Sequence, residues 1–325
     1  MAMKRMGISH SLEFVSESDS ACMSVIKKKY KPTHMFTDIL EREAKDETYV
    51  DVYVWTPPCQ DFSASGKQKG VNGVRKTGDL MKKSIKFIQN KKPRVTIFEN
   101  VPTLLNKKFC RIPKGIEQAL KKLGYDVHVN KLDSKDFGVP QTRQRVYIVG
   151  VRKDSVLHPF RWPQKQATPP VTSILEPKSA STDVAGRLPS SKRGRDLCKA
   201  AYKKAYENAS VDPRVTPVMV DIDCSDRFAT YGINMARTLT KTRGQCGGPW
   251  VSSRGRRVTL QEMMRLQGFA KEDIPQAELD LSDRQIGGMM GNAVTVHTMG
   301  AILSEALHSA GLTKTKVPFP LHYEW

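Results

Sequence analysis

Up to about residue 160 the chain alternates between short apolar runs and longer amphipathic ones, and this alternation constrains the fold more than any other feature. Leu12 to Ser16 reads as a strand, and Asp19 to Tyr30 as a helix whose start Asp19 or Ser20 is placed to cap. Val50 to Trp55 is a second apolar run, followed by a loop through Gly66, Gly70 and Gly73. Leu80 to Asn90 predicts a helix with Leu80, Ile85 and Ile88 on its apolar side, Arg94 to Phe98 a buried strand, and Ile116 to Leu123 a helix ended by Gly124. Two strands, Tyr125 to Leu132 and Val146 to Val151, then follow one another across Phe137-Gly138-Val139-Pro140-Gln141 with no helix between them. Such a pattern predicts a doubly wound α/β sheet with an antiparallel pair at its end.

After Trp162-Pro163 the pattern changes. Pro169-Pro170, Pro177, Pro189, Pro213 and Pro217 punctuate a polar, basic, weakly periodic segment that reads as a small domain or a long insertion. Helical character returns at Leu260 to Gly268, where Leu260, Met263, Met264 and Leu266 form a stripe, and at Val294 to Ala310, with Gly311 as its C-cap. The expected division is therefore a larger domain over 1–162, a second region over 163–256, and a return over 257–325.

Charge and cysteine usage narrow the function. Formal net charge is +20, and the stretch from Arg187 to Lys204 sets Lys192, Arg193, Arg195, Lys199, Lys203 and Lys204 against Asp196 alone. A phosphate polymer is the simplest partner for such a surface, although a merely basic soluble protein would show the same balance. No apolar run approaches the roughly 18 residues of a membrane span, and the first seven residues lack the apolar core of a secretion signal. The expectation is a protein of the nucleus in a eukaryotic cell, or of the cytoplasm and nucleoid otherwise, with no membrane partner. The six cysteines (Cys22, Cys59, Cys110, Cys198, Cys224, Cys246) are scattered, and no histidines stand at zinc-ligand spacing, so neither a disulfide framework nor a metal site is expected.

One cysteine has an unusual setting. Cys59 follows the run Val52-Tyr53-Val54-Trp55 within Thr56-Pro57-Pro58-Cys59-Gln60-Asp61-Phe62-Ser63, so two prolines stiffen the turn that carries its thiol. A positioned nucleophile and an inert packing cysteine both fit that placement. Glu99 follows Val95-Thr96-Ile97-Phe98 in the same way, and ligands of open α/β sheets bind beyond the carboxyl ends of strands. Taken alone, Glu99 reads equally well as a reactive acid, a solvated strand end or half of a salt bridge.

Five motifs together resemble the DNA (cytosine-5) methyltransferases and cover nearly the whole chain. Pro57-Pro58-Cys59-Gln60-Asp61-Phe62-Ser63-Ala64-Ser65-Gly66 resembles that family's nucleophile loop, and Glu99-Asn100-Val101 its glutamate motif. Gln141-Thr142-Arg143-Gln144-Arg145 resembles its QxRxR motif, and Arg257 to Gly268 the motif that supports a target-recognition domain. Gly291-Asn292-Ala293-Val294 resembles its GNSV motif, with Ala where Ser is usual. The resemblance implies a Rossmann-like methyltransferase sheet that uses S-adenosylmethionine, with a smaller target-recognition domain, acting as a monomer on double-stranded DNA. It implies that Cys59 adds to carbon 6 of a flipped cytosine, that Glu99 holds a proton at ring nitrogen 3, and that Arg145 contacts the base carbonyl while Arg143 supports the loop or the cofactor side. Gln141, Ser63 and Ser65 match positions toward nucleic acid.

On the cofactor side, the resemblance assigns Glu17 to the ribose hydroxyls, Asp38 and Ile39 to the adenine, and Pro58, Asn292 and Val294 to the remaining contacts. The family's first motif, a strand and a Phe-x-Gly-x-Gly loop, is expected ahead of residue 1, with Met1 to Gly7 reading as the end of the helix that follows it. Two other readings compete with this one: a non-catalytic DNA-binding relative or truncated fragment with an impaired cofactor pocket, and a methyltransferase of RNA cytosine. The second lacks support from the Cys-Phe-Thr signature of the tRNA-modifying group, which is absent here.

Overall fold

The computed structural model describes residues 1–43, 48–62, 77–225 and 229–320, and the chain divides into two compact units. The first comprises Met1–Asp133, Gln144–Gln164 and Thr298–Pro320. It begins with helix α1 (Ala2–Arg5), strand β1 (Phe14–Ser16), helix α2 (Ser20–Tyr30) and strand β2 (His34–Phe36). Asp19 caps α2 by accepting the Cys22 N–H at 3.2 Å. Strands β1 and β2 pair in parallel as a two-stranded sheet, with Ser16 opposite Phe36.

The larger sheet of this unit has the order β3-β4-β6-β5, where β3 is Val52–Trp55, β4 Val95–Asn100, β5 Tyr125–Asp133 and β6 Gln144–Arg152. Strands β3 and β4 run parallel, while β6 is antiparallel to both β4 and β5. The sheet is thus mixed, with the antiparallel pair at its end as the sequence predicts. Helices α3 (Thr77–Lys91) and α4 (Arg111–Lys122) connect its strands. Tyr53, Trp55, Phe98, Val146 and Ile148 form a core with Phe87 and Ile88 of α3 and Ile116 and Leu120 of α4. Side chains alternate across a strand, so Val95, Ile97 and Glu99 of β4 share the other face with Val151, Val149 and Tyr147, their register partners on β6. Every residue of β4 is buried, which is why it reads as a continuous apolar run ending in two polar residues.

The second unit comprises Ser134–Arg143 and Lys165–His297, and it is more ordered than the weak periodicity of 163–256 suggests. It contains an antiparallel sheet of order β10-β9-β7-β8, built from β7 (Val218–Val220), β8 (Tyr231–Ile233), β9 (Trp250–Val251) and β10 (Arg256–Arg257). Helix α5 (Lys192–Ala209) packs Leu197, Cys198, Ala201 and Ala205 against Val218 and Val220 and turns Lys192, Lys199 and Lys203 outward. Ser191 caps it by accepting the Gly194 N–H at 3.1 Å. The basic stretch of the sequence is therefore an amphipathic helix whose buried side, Leu197 apart, consists of small residues.

Four short helices follow, α6 (Lys241–Gln245), α7 (Leu260–Leu266), α8 (Gln276–Leu279) and α9 (Asp283–Asn292). Gly244 of α6 and Gly287 of α9 meet so closely that a Cβ on Gly287 would lie 2.2 Å from the Gly244 carbonyl oxygen. A capping box, Thr259 with Glu262, starts α7. Finally α10 (Val296–Ser309) leads back into the first unit and ends at Gly311, whose φ of +63° is the left-handed conformation expected of a C-cap glycine. No helix among the described residues is long and apolar enough to cross a membrane.

Candidate active site

In-register parallel pairing of β3 and β4, Trp55 beside Phe98, sets the carboxyl ends of these strands next to each other. The chain leaves β3 through Pro57 and Pro58 to Cys59, which is half-buried, and a turn closes where the Phe62 N–H donates to the Cys59 carbonyl at 3.0 Å. The last residue of β4 and one just beyond it hold both flanks of this turn. The Asn100 side-chain amide donates to the Pro57 carbonyl at 2.9 Å, and the Thr103 hydroxyl to the Phe62 carbonyl at 2.6 Å. Asp61 is fixed in turn by the Thr77 hydroxyl at 2.7 Å. The stiffness that the sequence attributes to the two prolines thus has a second source in Asn100 and Thr103, which the sequence reading did not single out. The signal for Asn100 was a buried asparagine at a strand end, where an amide needs partners.

Glu99 stands opposite Tyr147 on β6, so Arg145 lies on the same face two residues away, as a diagonal cross-strand neighbour. Arg145 Nε is 3.1 Å from Glu99 Oε1, with the side chains 12% and 10% exposed respectively. The guanidinium offsets the cost of keeping a carboxylate at a nearly buried strand end. Arg145 also donates from Nη1 to the Gln144 carbonyl at 2.7 Å, which fixes the orientation of its fork. Cys59, Glu99 and Arg145 therefore belong to one unit and to one end of one sheet. Cys198 contrasts with Cys59: it is fully buried in the second unit, and burial pushes its thiol up to about 11.

Glu17 follows β1 and Asp38 follows β2, so the parallel pairing brings two half-buried carboxylates to the same end of that small sheet. Each accepts a local backbone N–H with one oxygen, Glu17 from Asp19 and Asp38 from Leu40, both at 2.8 Å. Among the described residues the second oxygen of each is left for another donor. Such acceptors suit hydroxyl or amino donors of a nucleoside, and in this respect the residues fit S-adenosylmethionine. Ile39 and Pro58 are half-buried beside Asp38 and Cys59 in sequence.

The first half of the QxRxR motif lies in the second unit and is saturated there. Gln141 is fully buried; its amide donates to the Leu266 carbonyl and accepts the Leu239 N–H, both at 2.8 Å. In this arrangement Gln141 has no exposed group to offer nucleic acid, and it ties 239 to 266 instead. Arg143 is 2% exposed and donates to the carbonyls of Leu239 (2.7 Å), Gly291 (3.2 Å) and Ala293 (2.8 Å). It thereby grips the backbone on both sides of Asn292, which is exposed, and one residue before Val294. Ser63 and Ser65 lie outside the described residues. No cluster of three or more His, Cys, Asp or Glu among the described residues could hold a metal ion.

With this geometry in hand, comparison with known proteins is decisive. A model of the C-5 cytosine-specific DNA methylases matches residues 1–308. The chain belongs to that family. The methylase chain is 32% identical over 276 residues to the type II methyltransferase M.SsoII of Shigella sonnei, a match covering 83% of this chain and 67% of that one. It is 29% identical over 294 residues to M.NgoBI of Neisseria gonorrhoeae, covering 89% and 83%. Among solved structures, the Entamoeba histolytica methyltransferase EhMeth superposes with a TM-score of 0.63 at 16% identity, over 96% of both chains. The S. pombe Dnmt2 methyltransferase gives 0.62 at 13% identity, over 94% of both. At such identities the structural likeness speaks for the methyltransferase fold alone.

The methylase's second unit also contains a set of buried and half-buried ion pairs that the sequence reading missed. Arg256 donates to both oxygens of Glu262 (2.9 and 3.0 Å) and to Asp183 (2.7 Å), and Asp183 also accepts from Arg254 at 3.2 Å. Arg257 pairs with Asp223 at 2.7 Å and Arg243 with Asp221 at 2.6 Å. Burial pushes Asp183 up, but Arg256, the Ser179 N–H and Arg254 outweigh it and hold its carboxyl below the usual range. Arg243, Arg254, Arg256 and Arg257 are therefore already paired with acids within this unit.

Proposed function

We propose that the chain methylates carbon 5 of cytosine in double-stranded DNA through a covalent adduct on Cys59. The observation that carries this reading is the convergence of Cys59 and the Glu99–Arg145 pair at the carboxyl ends of β3 and β4. The target base is flipped out of the duplex, because its ring cannot be reached while stacked. The Cys59 thiolate attacks carbon 6, forming a C–S bond, and the electron pair of the 5,6 double bond moves toward carbon 5 and the ring carbonyl. Glu99 holds a proton at ring nitrogen 3 and accepts from the exocyclic amine, so that negative charge spreads over the ring. Arg145, oriented by Glu99 and the Gln144 carbonyl, donates to the base carbonyl, where charge accumulates. Once carbon 5 has been methylated, loss of its proton returns the electrons, expels the Cys59 thiolate and restores the double bond.

When bound, S-adenosylmethionine supplies the methyl group as an electrophile. Glu17 would accept from its ribose, Asp38 and Ile39 would meet its adenine, and Pro58, Asn292 and Val294 would supply the remaining contacts. The catalytic chemistry belongs to the unit of Met1–Asp133, Gln144–Gln164 and Thr298–Pro320, so that 134–143 and 257–297, expected with it from the sequence, go instead with the second unit, which recognises the target. The chain works as a monomer wherever its DNA is, in the nucleus of a eukaryotic cell or in the cytoplasm and nucleoid of a bacterium.

Duplex DNA containing 5-fluorocytosine tests this directly, since carbon 5 then has no proton to lose. The full chain with S-adenosylmethionine should form an adduct that survives denaturation, and Cys59→Ala should abolish both the adduct and transfer of labelled methyl groups, a loss of at least about 10³-fold. An adduct that persists in Cys59→Ala, or a wild-type chain that binds DNA and forms none, would overturn the mechanism.

A further inference from the structure

We propose that Arg237 of the second unit reads a guanine in the target sequence through its free guanidinium fork. The inference rests on the reading above for the identity of the polymer, double-stranded DNA, and goes beyond it by naming a base and the residue that selects it. Two observations carry it. First, the backbone around Arg237 is fixed on both sides. Ala236 exchanges hydrogen bonds with the 140–142 segment as an isolated parallel bridge, its N–H donating to the Pro140 carbonyl at 2.8 Å and its carbonyl accepting the Thr142 N–H at 2.9 Å. On the other side the Thr238 hydroxyl donates to the Thr142 carbonyl (2.8 Å), the Leu239 N–H donates to Gln141 (2.8 Å), and the Leu239 carbonyl accepts from Arg143 (2.7 Å). Arg237 thus projects from a backbone that cannot adjust without breaking buried bonds.

Second, Arg237 is unpaired among the described residues, whereas Arg243, which lines the same cleft, is held by Asp221. Arg243, Arg254, Arg256 and Arg257 are all held by Asp221, Asp183, Glu262 or Asp223. Arg237 is exposed and makes no hydrogen bond or ion pair with any described residue. It lines a cleft with Met219, Asp221, Thr238, Arg243 and Leu266. Phosphate contact needs only positive charge, which the exposed lysines of α5 supply. Bidentate recognition of guanine O6 and N7 needs an oriented fork, which a fixed backbone and an uncommitted guanidinium provide.

The test is selection of bound sequences from a randomised duplex library by the full chain, its Arg237→Ala and Arg237→Lys variants, and Cys59→Ala. Wild type and Cys59→Ala should enrich the same motif, with guanine at one fixed position. Arg237→Ala should lose preference at that position alone, by about 5- to 150-fold, with the salt dependence of binding nearly unchanged. Arg237→Lys should recover only part of it. Three results overturn the proposal: an unchanged motif in Arg237→Ala, no motif in wild type, or uniform weakening on all sequences with the salt slope reduced by about 1, which marks a phosphate contact. Failure of the catalytic reading is separable. An adduct on 5-fluorocytosine DNA without Arg237-dependent preference removes the proposal and leaves the reaction, and an Arg237-dependent motif without adduct does the reverse.

Discussion

Arg143 and Arg145 are separated by one residue, yet they belong to different units and are used in different ways. Arg143 is buried among backbone carbonyls that accept from both of its terminal nitrogens. Arg145 faces a single carboxylate, Glu99, at a strand end that retains some exposure. An arginine surrounded by carbonyls stabilises whatever backbone it collects, whereas one held by a single acid at the mouth of a site is oriented and still has donors to give. The partners of an arginine, more than its motif, distinguish scaffolding from chemistry.

Exchanging the two roles should expose the difference. Arg145→Ala is expected to slow methyl transfer by about 10²–10³-fold, as loss of a donor to developing charge does elsewhere, with a smaller effect on unfolding than Arg143→Ala. Arg143→Ala should cost about 3–5 kcal/mol in denaturant unfolding, because several buried carbonyls lose their donor together. Arg143→Lys should not restore this, since a point charge cannot span carbonyls at 239, 291 and 293. If Arg145→Ala proves the more unfolding substitution, the contrast is wrong.

Glu262 extends the scaffolding half. It is fully buried and accepts from Arg256 and from the N–H groups of Glu176 and Thr259. Glu262→Gln keeps the size but replaces one acceptor oxygen by a donor, and should destabilise by about 2–3 kcal/mol in the same unfolding measurement. The smallest expected effect is on pH dependence. The Asp183 carboxyl is held below its ordinary value, so its contribution is complete above the unfolded-state value near 4 and is lost as pH falls through the lower folded value. Unfolding free energy measured from pH 7 down to pH 3 should fall at the acid end, and Asp183→Asn should flatten that fall.

Legibility in the sequence followed the length of the elements and the distance to their partners. Strands β4 and β6 were readable because burial on both faces leaves an unbroken apolar run. Strands β7 to β10 were not, since elements of two or three residues are too short to show alternation. Helix α5 was hidden by composition: Gly194, Cys198, Ala201 and Ala205 on its inner side carry little hydrophobic signal beside so many lysines. Cys59 and Glu99 could be found because each lies at or just beyond the end of its own apolar run. The buried partners of Gln141 and Arg143 could not, as they lie up to 125 and 150 residues further along the chain.

The ten-residue excursion Ser134–Arg143 has a consequence for heredity. It belongs to the second unit although both neighbouring strands, β5 and β6, belong to the first. A crossover that replaced residues 165–297 with those of a relative would import new 236–239 and 291–293 segments but keep the resident Gln141 and Arg143. Such a hybrid inherits a clamp shaped for another segment. Across descendants, residues 140–143 should change in step with 236–239 more than with the strands they interrupt, and a shuffled methylase should work only when both pieces come from one parent.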